Sequence, residues 1–273
     1  FEKGIEDALG GMAETVWQVE QNSFCQRVLK KHWPNATIFD DVRTAGKHNL
    51  EPVDILCGGW PCQSISTAGN MEGLENENKS GLWWEMHRII SDLRDTTRVI
   101  LLENVANVLR LGGPDVIGSL AAIGYDCEWK IIRASDFGAP HHRARWFCVA
   151  YPHSYRTKIQ IEGKQPIFKQ SGSQGPEKIT AYPHSQRGKK QPFYTQSVDQ
   201  EQSKCGCSQT DRSRLYNWKG FPAQSPVCRR DDGVPHRVDR IKALGNAIVP
   251  QCSEWVALQV LNSGLLDDLL EAK

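Results

Sequence analysis

The residues most able to do covalent chemistry stand in Gly58-Gly59-Trp60-Pro61-Cys62-Gln63-Ser64. This segment follows the apolar run Val53–Cys57, which reads as a buried strand. Cys62 therefore falls on a loop at a strand's carboxyl end, where open α/β sheets hold ligands and nucleophiles. The two glycines let the backbone bend sharply, and Pro61 stiffens the approach. Taken alone, a Pro-Cys pair reads more readily as a structural cysteine after a turn. A second segment, Glu103-Asn104-Val105, closes the apolar strand Val99–Leu102. A carboxylate leaving a core strand can lie beside Cys62, or it can be a solvated strand end. In a third segment, Gly138-Ala139-Pro140-His141-His142-Arg143-Ala144-Arg145, the two arginines at i and i+2 share one face of extended chain. They suit a phosphate or a base oxygen, or else form an exposed basic turn. The fourth, Arg240 to Pro250, contains Gly245-Asn246, a pair suited to a tight turn with an amide free to bind.

The elements that must position these residues alternate in type. Gly4–Gly10 has helical spacing of Ile5, Ala8 and Leu9, and Glu14–Glu20 alternates like a strand. Asn22–Trp33 reads as a helix with Phe24, Val28 and Leu29 on one face. Ala36–Val42 and Val53–Cys57 read as strands, Leu82–Leu93 as a helix, and Val99–Val105 as a buried strand. Pro114–Ile123 is a helix opening with proline, and Tyr125–Ile132 and Arg145–Tyr151 are further strands. Such alternation predicts an open, mostly parallel α/β sheet. The texture changes over 152–235, which is rich in Gln, Ser, Lys and Gly without a sustained period. Ala-Tyr-Pro-His-Ser occurs twice, at 150–154 and 181–185, as a local duplication. Val249–Leu270 turns helical again, with Val256, Leu258, Val260 and Leu261 available for packing. The expected organisation is 1–151 as one α/β domain, 152–235 as a small separate module, and 236–273 packing back on the first domain.

Composition limits the function classes. The 273 residues suffice for one sizeable core with a small appended module. No apolar run approaches the ~20 residues of a membrane span, so no membrane partner is expected. Phe1-Glu2-Lys3-Gly4 has neither a basic start followed by an apolar stretch nor an initiating Met, which points to an incomplete N-terminus. The nine cysteines are odd in number and several lie in apolar strand-like runs. Reduced thiols in a cytoplasm are therefore expected. Cys205-Gly206-Cys207 has no second pair at zinc spacing, and no metal is expected. Net charge is +1, unevenly spread: Tyr151 to Pro235 holds 14 Lys and Arg against 7 Asp and Glu, while the remainder is net acidic. A basic segment on an acidic body suggests a polyanionic partner.

These four motifs, in this order, resemble the motif set of the DNA cytosine-5 methyltransferases of bacteria and phages. The matching features are the Pro-Cys-Gln loop, Glu-Asn-Val, the Arg-x-Arg segment, and the late Gly-Asn turn before a helix. The resemblance covers about 1–150 and 236–273. It implies a Rossmann-like, S-adenosylmethionine-dependent fold with a target-recognition module at 152–235. It further implies cofactor contacts from Glu20, Asp41, Pro61, Leu82 and Asn246, with Glu20 at the ribose and Asp41 near the adenine. Gly81-Leu82-Trp83-Trp84 is similar to the segment lining the cofactor pocket. Gln63 and Ser66, in the cysteine loop, are implied at the DNA. The partners implied are double-stranded DNA and a cognate restriction endonuclease, with a monomeric enzyme in the cytoplasm.

The implied catalytic set is Cys62, Glu103, Arg143 and Arg145. Cys62 attacks C6 of a flipped-out cytosine, turning C5 into a nucleophilic enamine carbon. A free thiol has a pKa of ~8.5, so nearby arginines would raise its thiolate fraction. Glu103 acts at N3 and the exocyclic amine, in its protonated form or by proton transfer. Arg145 contacts the base O2, with Arg143 as helper or structural pin. Within 152–235, Gln196, Arg212 and Arg214 are plausible readers of DNA, while Tyr216, Trp218 and Phe221 suit a small core.

There are three departures from the family pattern. A first strand and a Gly-rich cofactor loop precede the equivalent of Phe1 in the family and are absent here. His141 replaces the usual Gln. Arg229-Arg230-Asp231-Asp232-Gly233 only loosely resembles the expected organising motif. Two alternatives therefore stand beside methylation of a specific short DNA sequence. One is a truncated or inactive remnant that binds DNA without turnover. The other is a tRNA cytosine-5 methyltransferase, although the characteristic Cys-Phe-Thr segment does not occur.

Overall fold

The computed structural model describes residues 1–61, 82–156, 166–168 and 237–271. The elements are α1 (Glu2–Leu9), β1 (Trp17–Val19), α2 (Ser23–His32), β2 (Thr37–Phe39) and β3 (Ile55–Gly58). Then follow α3 (Leu82–Asp92), β4 (Val99–Val105), α4 (Val108–Leu111), α5 (Gly113–Ala122), β5 (Tyr125–Arg133) and β6 (Ala144–Pro152). The C-terminal part is α6 (Arg237–Asn246), α7 (Pro250–Ser263) and α8 (Asp267–Glu271).

Local sequence explains several boundaries. Asn22 caps α2: its Oδ1 accepts the amides of Phe24 at 2.9 Å and Cys25 at 3.1 Å. Lys30, Lys31 and His32 stand at the other end of α2, where the helix dipole favours positive charge. Pro250 opens α7, and Gly264 ends it in the left-handed region at φ 76°. This glycine splits the single helix expected over Val249–Leu270 into α7 and α8. The face expected on α2 is only partly used, since Val28 is 42% exposed.

The main sheet has the order β3-β4-β6-β5. β3 and β4 are parallel, but β6 runs antiparallel to both β4 and β5. The mostly parallel sheet expected from strand–helix alternation is thus corrected at this end. β5 and β6 are joined without a crossover helix, and only antiparallel pairing permits so short a return. β1 and β2 form a separate parallel pair. Among the described residues, β1 and β3 are each hydrogen-bonded into a ladder along one edge only.

The pleat of β4 divides the core. Val99 and Leu101 face one apolar cluster, together with Phe147 and Val149 of β6, Ile5 and Leu9 of α1, and Val256 and Val260 of α7. Ile100 and Leu102 face the other, with Trp146 and Cys148, Trp83 and Ile90 of α3, and Val116 and Leu120 of α5. Both faces of β4 are covered, which is why its first four residues, Val99–Leu102, read as an unbroken apolar run. Each such side chain stabilises the fold by roughly 1.5–3 kcal/mol on burial. α1 and α7 touch closely: a Cβ on Gly4 would lie 2.2 Å from Ser253 Oγ and 2.5 Å from the Pro250 carbonyl. Expectations that fall on 62–81, 157–165, 169–236 and 272–273 lie outside the described residues. These concern Cys62, Gln63, Ser66, Gln196, Arg212, Arg214, Tyr216, Trp218 and Phe221. No helix among the described residues is long and apolar enough to cross a membrane.

Candidate active site

Glu103 stands near the carboxyl end of β4, and only 8% of it is exposed. In the antiparallel ladder Glu103 lies opposite Phe147 and Val105 opposite Arg145. Glu103 and Arg145 are therefore diagonal neighbours on one face of the sheet. Arg145 Nε meets Glu103 Oε1 at 3.0 Å. Burial pushes the Glu103 carboxyl up to about 7, against the pull of Arg145 and Arg143. Near neutral pH this group can accept or give a proton, as general acid–base work requires.

Arg143 is engaged elsewhere. It has φ 37°, a left-handed conformation that non-glycine residues rarely adopt. Its Nη2 donates to the Gly245 carbonyl at 2.9 Å and also to the Ala247 carbonyl. Of the two roles read from sequence, this geometry favours the pin: Arg143 ties the start of β6 to the α6–α7 turn. Arg145, one pleat further on, is left to pair with Glu103. His141 and His142 are exposed, and the His142 carbonyl accepts the Ala134 amide at 2.9 Å, closing the β5–β6 turn.

The stem of the cysteine loop is described as far as Pro61. Trp60 is 5% exposed, and its ring packs against Trp83 at 4.9 Å and Trp146 at 6.3 Å between centroids. Buried Asn104 donates from Nδ2 to the Trp60 carbonyl at 3.2 Å, while its Oδ1 accepts the Val105 amide at 2.8 Å. Sequence reading gives Asn104 no role of its own. A polar amide at the end of a buried apolar run is the available signal, because such a group must find partners.

Beside the stem lies a cleft of about 750 Å³. Glu20, Asp41, Pro61 and Leu82 all line it, so four of the five expected cofactor residues come together. Glu20 follows β1, and its Oε1 accepts the Asn22 amide at 2.7 Å. Asp41 follows β2, and its Oδ1 accepts the Arg43 amide at 2.9 Å. Asn246 is not among the lining residues; it is exposed at the end of α6, next to the carbonyls held by Arg143. Instead of the free turn expected, Gly245 and Asn246 complete a helix. Of the Leu82-Trp83-Trp84 segment, Leu82 lines the cleft, Trp83 is fully buried and Trp84 is 49% exposed. Carboxylates suited to hydroxyl and amino groups stand beside apolar Leu9, Met86 and Ile89. That set of acceptors fits a nucleoside carrying positive charge, and the cleft has the size of a small-molecule site.

Several known proteins are similar to this chain. It is 35% identical over 175 residues to the type II methyltransferase M.CviJI of Paramecium bursaria Chlorella virus IL3A, covering 60% of this chain and 47% of that protein. It is 31% identical over 146 residues to M.Bsp6I of Bacillus sp. (strain RFL6), covering 52% and 46% respectively. The chain thus spans about half the length of these curated relatives. A solved structure, DNMT2 of Spodoptera frugiperda, aligns with a TM-score of 0.45 and 22% identity over 55% of this chain and 47% of that one. The model of the C-5 cytosine-specific DNA methylases, a family that uses S-adenosylmethionine, matches residues 1–231, and this chain belongs to that family.

Proposed function

We propose that this chain methylates C5 of cytosine within a specific short DNA sequence, with Cys62 as the nucleophile toward C6 of a flipped-out base. The observation that carries the reading is the buried Glu103–Arg145 pair at 3.0 Å, on the strand that holds the stem of the Cys62 loop through Asn104. Glu103 meets N3 and the exocyclic amine of the base, and its proton neutralises the charge that forms in the ring as the thiolate adds. Arg145 keeps the carboxyl oriented and offers its remaining N–H groups to the base O2. Glu20 and Asp41 hold the nucleoside part of S-adenosylmethionine, and Pro61 and Leu82 border it. That cofactor, when bound, supplies the methyl group. After transfer the C5 proton leaves and the Cys62 sulfur is expelled. Gln63 and Ser66 contact the DNA, and the basic segment 152–235 reads the target sequence. The duplex is the partner, and a restriction endonuclease of the same specificity accounts for the biological context.

Base-resolution mapping of 5-methylcytosine in a methylation-free host that makes the chain tests this reading. Methylation confined to one short motif is expected; soluble protein with an unmethylated genome contradicts it. In the Cys62→Ala variant transfer is lost while cofactor affinity stays within about threefold. Substantial residual turnover would remove Cys62 from its role.

The pH dependence has a defined sign. Glu103 is protonated below about 7 in the folded chain, against an ordinary value of 4.5. Its contribution to stability is full below about 4.5 and lost as pH rises through about 7. Activity that needs the neutral carboxyl falls over the same upper limb. Glu103→Gln should lower turnover by about 10²-fold or more and flatten the stability profile between those values. A wild-type stability profile already flat there would contradict the assignment.

Arg143→Ala removes two hydrogen bonds from a charged donor. It is expected to cost about 1–3 kcal/mol in urea unfolding. A change below about 0.5 kcal/mol would show that the pin contributes nothing to the fold.

A further inference from the structure

The loop stem and Glu103 are closer than ordinary side chains would allow. A Cβ placed on Gly59 would lie 2.7 Å from the Glu103 carbonyl oxygen and 3.3 Å from its Oε2. The first contact is with backbone inside a strand bonded on both sides, by β3 and β6, so neither partner can move aside cheaply. The preceding residue makes a useful contrast. A Cβ on Gly58 would meet Met86 Cε at 3.0 Å, the far end of a flexible side chain that can turn away. Two adjacent glycines thus face obstacles of different kinds.

We propose that Gly59 is a positioning residue: its bare Cα lets the stem of the cysteine loop lie flat on Glu103 and sets the distance between that loop and the carboxyl group. Two further contacts hold the stem in that place. Asn104 Nδ2 binds the Trp60 carbonyl, and the Trp60 ring is wedged between Trp83 and Trp146. The stem is therefore fixed to β4 at two consecutive residues, Gly59 on Glu103 and Trp60 on Asn104. It also covers the carboxyl group. An added methyl group lifts the stem by a fraction of an ångström or more, which opens Glu103 to water and displaces whatever the loop presents to it. Misplacement on the scale of 1 Å costs about 10²-fold in rate when two groups must act together.

The kinetic part of the test rests on the methyl-transfer reading; the titration part does not. Gly59→Ala and Gly58→Ala are compared with the unaltered chain in two measurements. The first is kcat and KM for methyl transfer to DNA. The second is the pH titration of the Glu103 carboxyl by carbon NMR of glutamate-labelled protein, with Glu103→Gln identifying the signal. For Gly59→Ala we expect kcat to fall by about 10²-fold, with KM for the cofactor within about threefold and the Glu103 midpoint moved to lower pH. For Gly58→Ala we expect kcat within about threefold and an unmoved midpoint. Equal effects from the two substitutions, or an unmoved midpoint in Gly59→Ala, overturn the assignment. Where the unaltered chain transfers no methyl group, the methylation reading fails, and the titration alone decides the role of Gly59. Should Gly59→Ala not fold, Asn104→Ala removes the neighbouring tie without adding bulk. A drop in its kcat of about tenfold or more with KM kept supports the fixed stem, and an unchanged kcat overturns it.

Discussion

A carboxyl group taken out of water beside an arginine is the constraint on which the site depends. Burial makes the Glu103 anion costly, and the guanidinium of Arg145 returns only part of that cost. The result is a group balanced between its two protonation states near neutrality. Keeping it there requires a covered position, a fixed partner and a backbone that does not relax. β4 provides the first by lying between two strands with both faces packed. β6 provides the second by presenting Arg145 diagonally across the ladder. Arg143 secures the third by holding the start of β6 to the α6–α7 turn in a conformation that its own backbone disfavours.

The same logic orders the rest of the site. Polar side chains near Glu103 serve as mechanical ties. Asn104 holds the Trp60 carbonyl, and Arg143 holds two carbonyls at and beyond the end of α6. Aromatic bulk supplies the rigid backing, with Trp60, Trp83 and Trp146 brought together from three distant parts of the chain. Gly58 to Pro61 also line the acidic cleft, so the stem is shared between the cleft and the carboxyl group.

Much of this is legible in the residues. β4 can be read at Val99–Val105, because it opens with Val99–Leu102, an unbroken run of branched apolar side chains that signals a strand covered on both faces. The association of Glu20, Asp41, Pro61 and Leu82 follows from family resemblance, since no local pattern brings those four positions together. Strand direction is less legible. Nothing in the sequence of β6 distinguishes parallel from antiparallel pairing, and the crossover-free connection that decides it is visible only once β5 and β6 are paired. Resemblance sets Asn246 with the cofactor, and a Gly-Asn pair suits a turn; here packing carries α6 through both residues. The role of Gly59 depends on an interatomic distance across two strands, which no one-dimensional pattern encodes.

The division of the core by the pleat of β4 also sets an order of events during synthesis. Among the described residues, the cluster on the α3 and α5 side draws only on positions between Trp17 and Ala150, so those residues can pack together once β6 has emerged. The opposite cluster needs Cys252, Val256, Val260, Leu265 and Leu266. Until those residues leave the ribosome, Val99, Leu101, Phe147 and Val149 form an apolar surface without its final cover. At typical synthesis rates of ~5–20 residues per second the interval lasts several seconds, ample time for contact with other nascent chains. Docking of α7 on α1, with Gly4 against Ser253, is what ends that exposure.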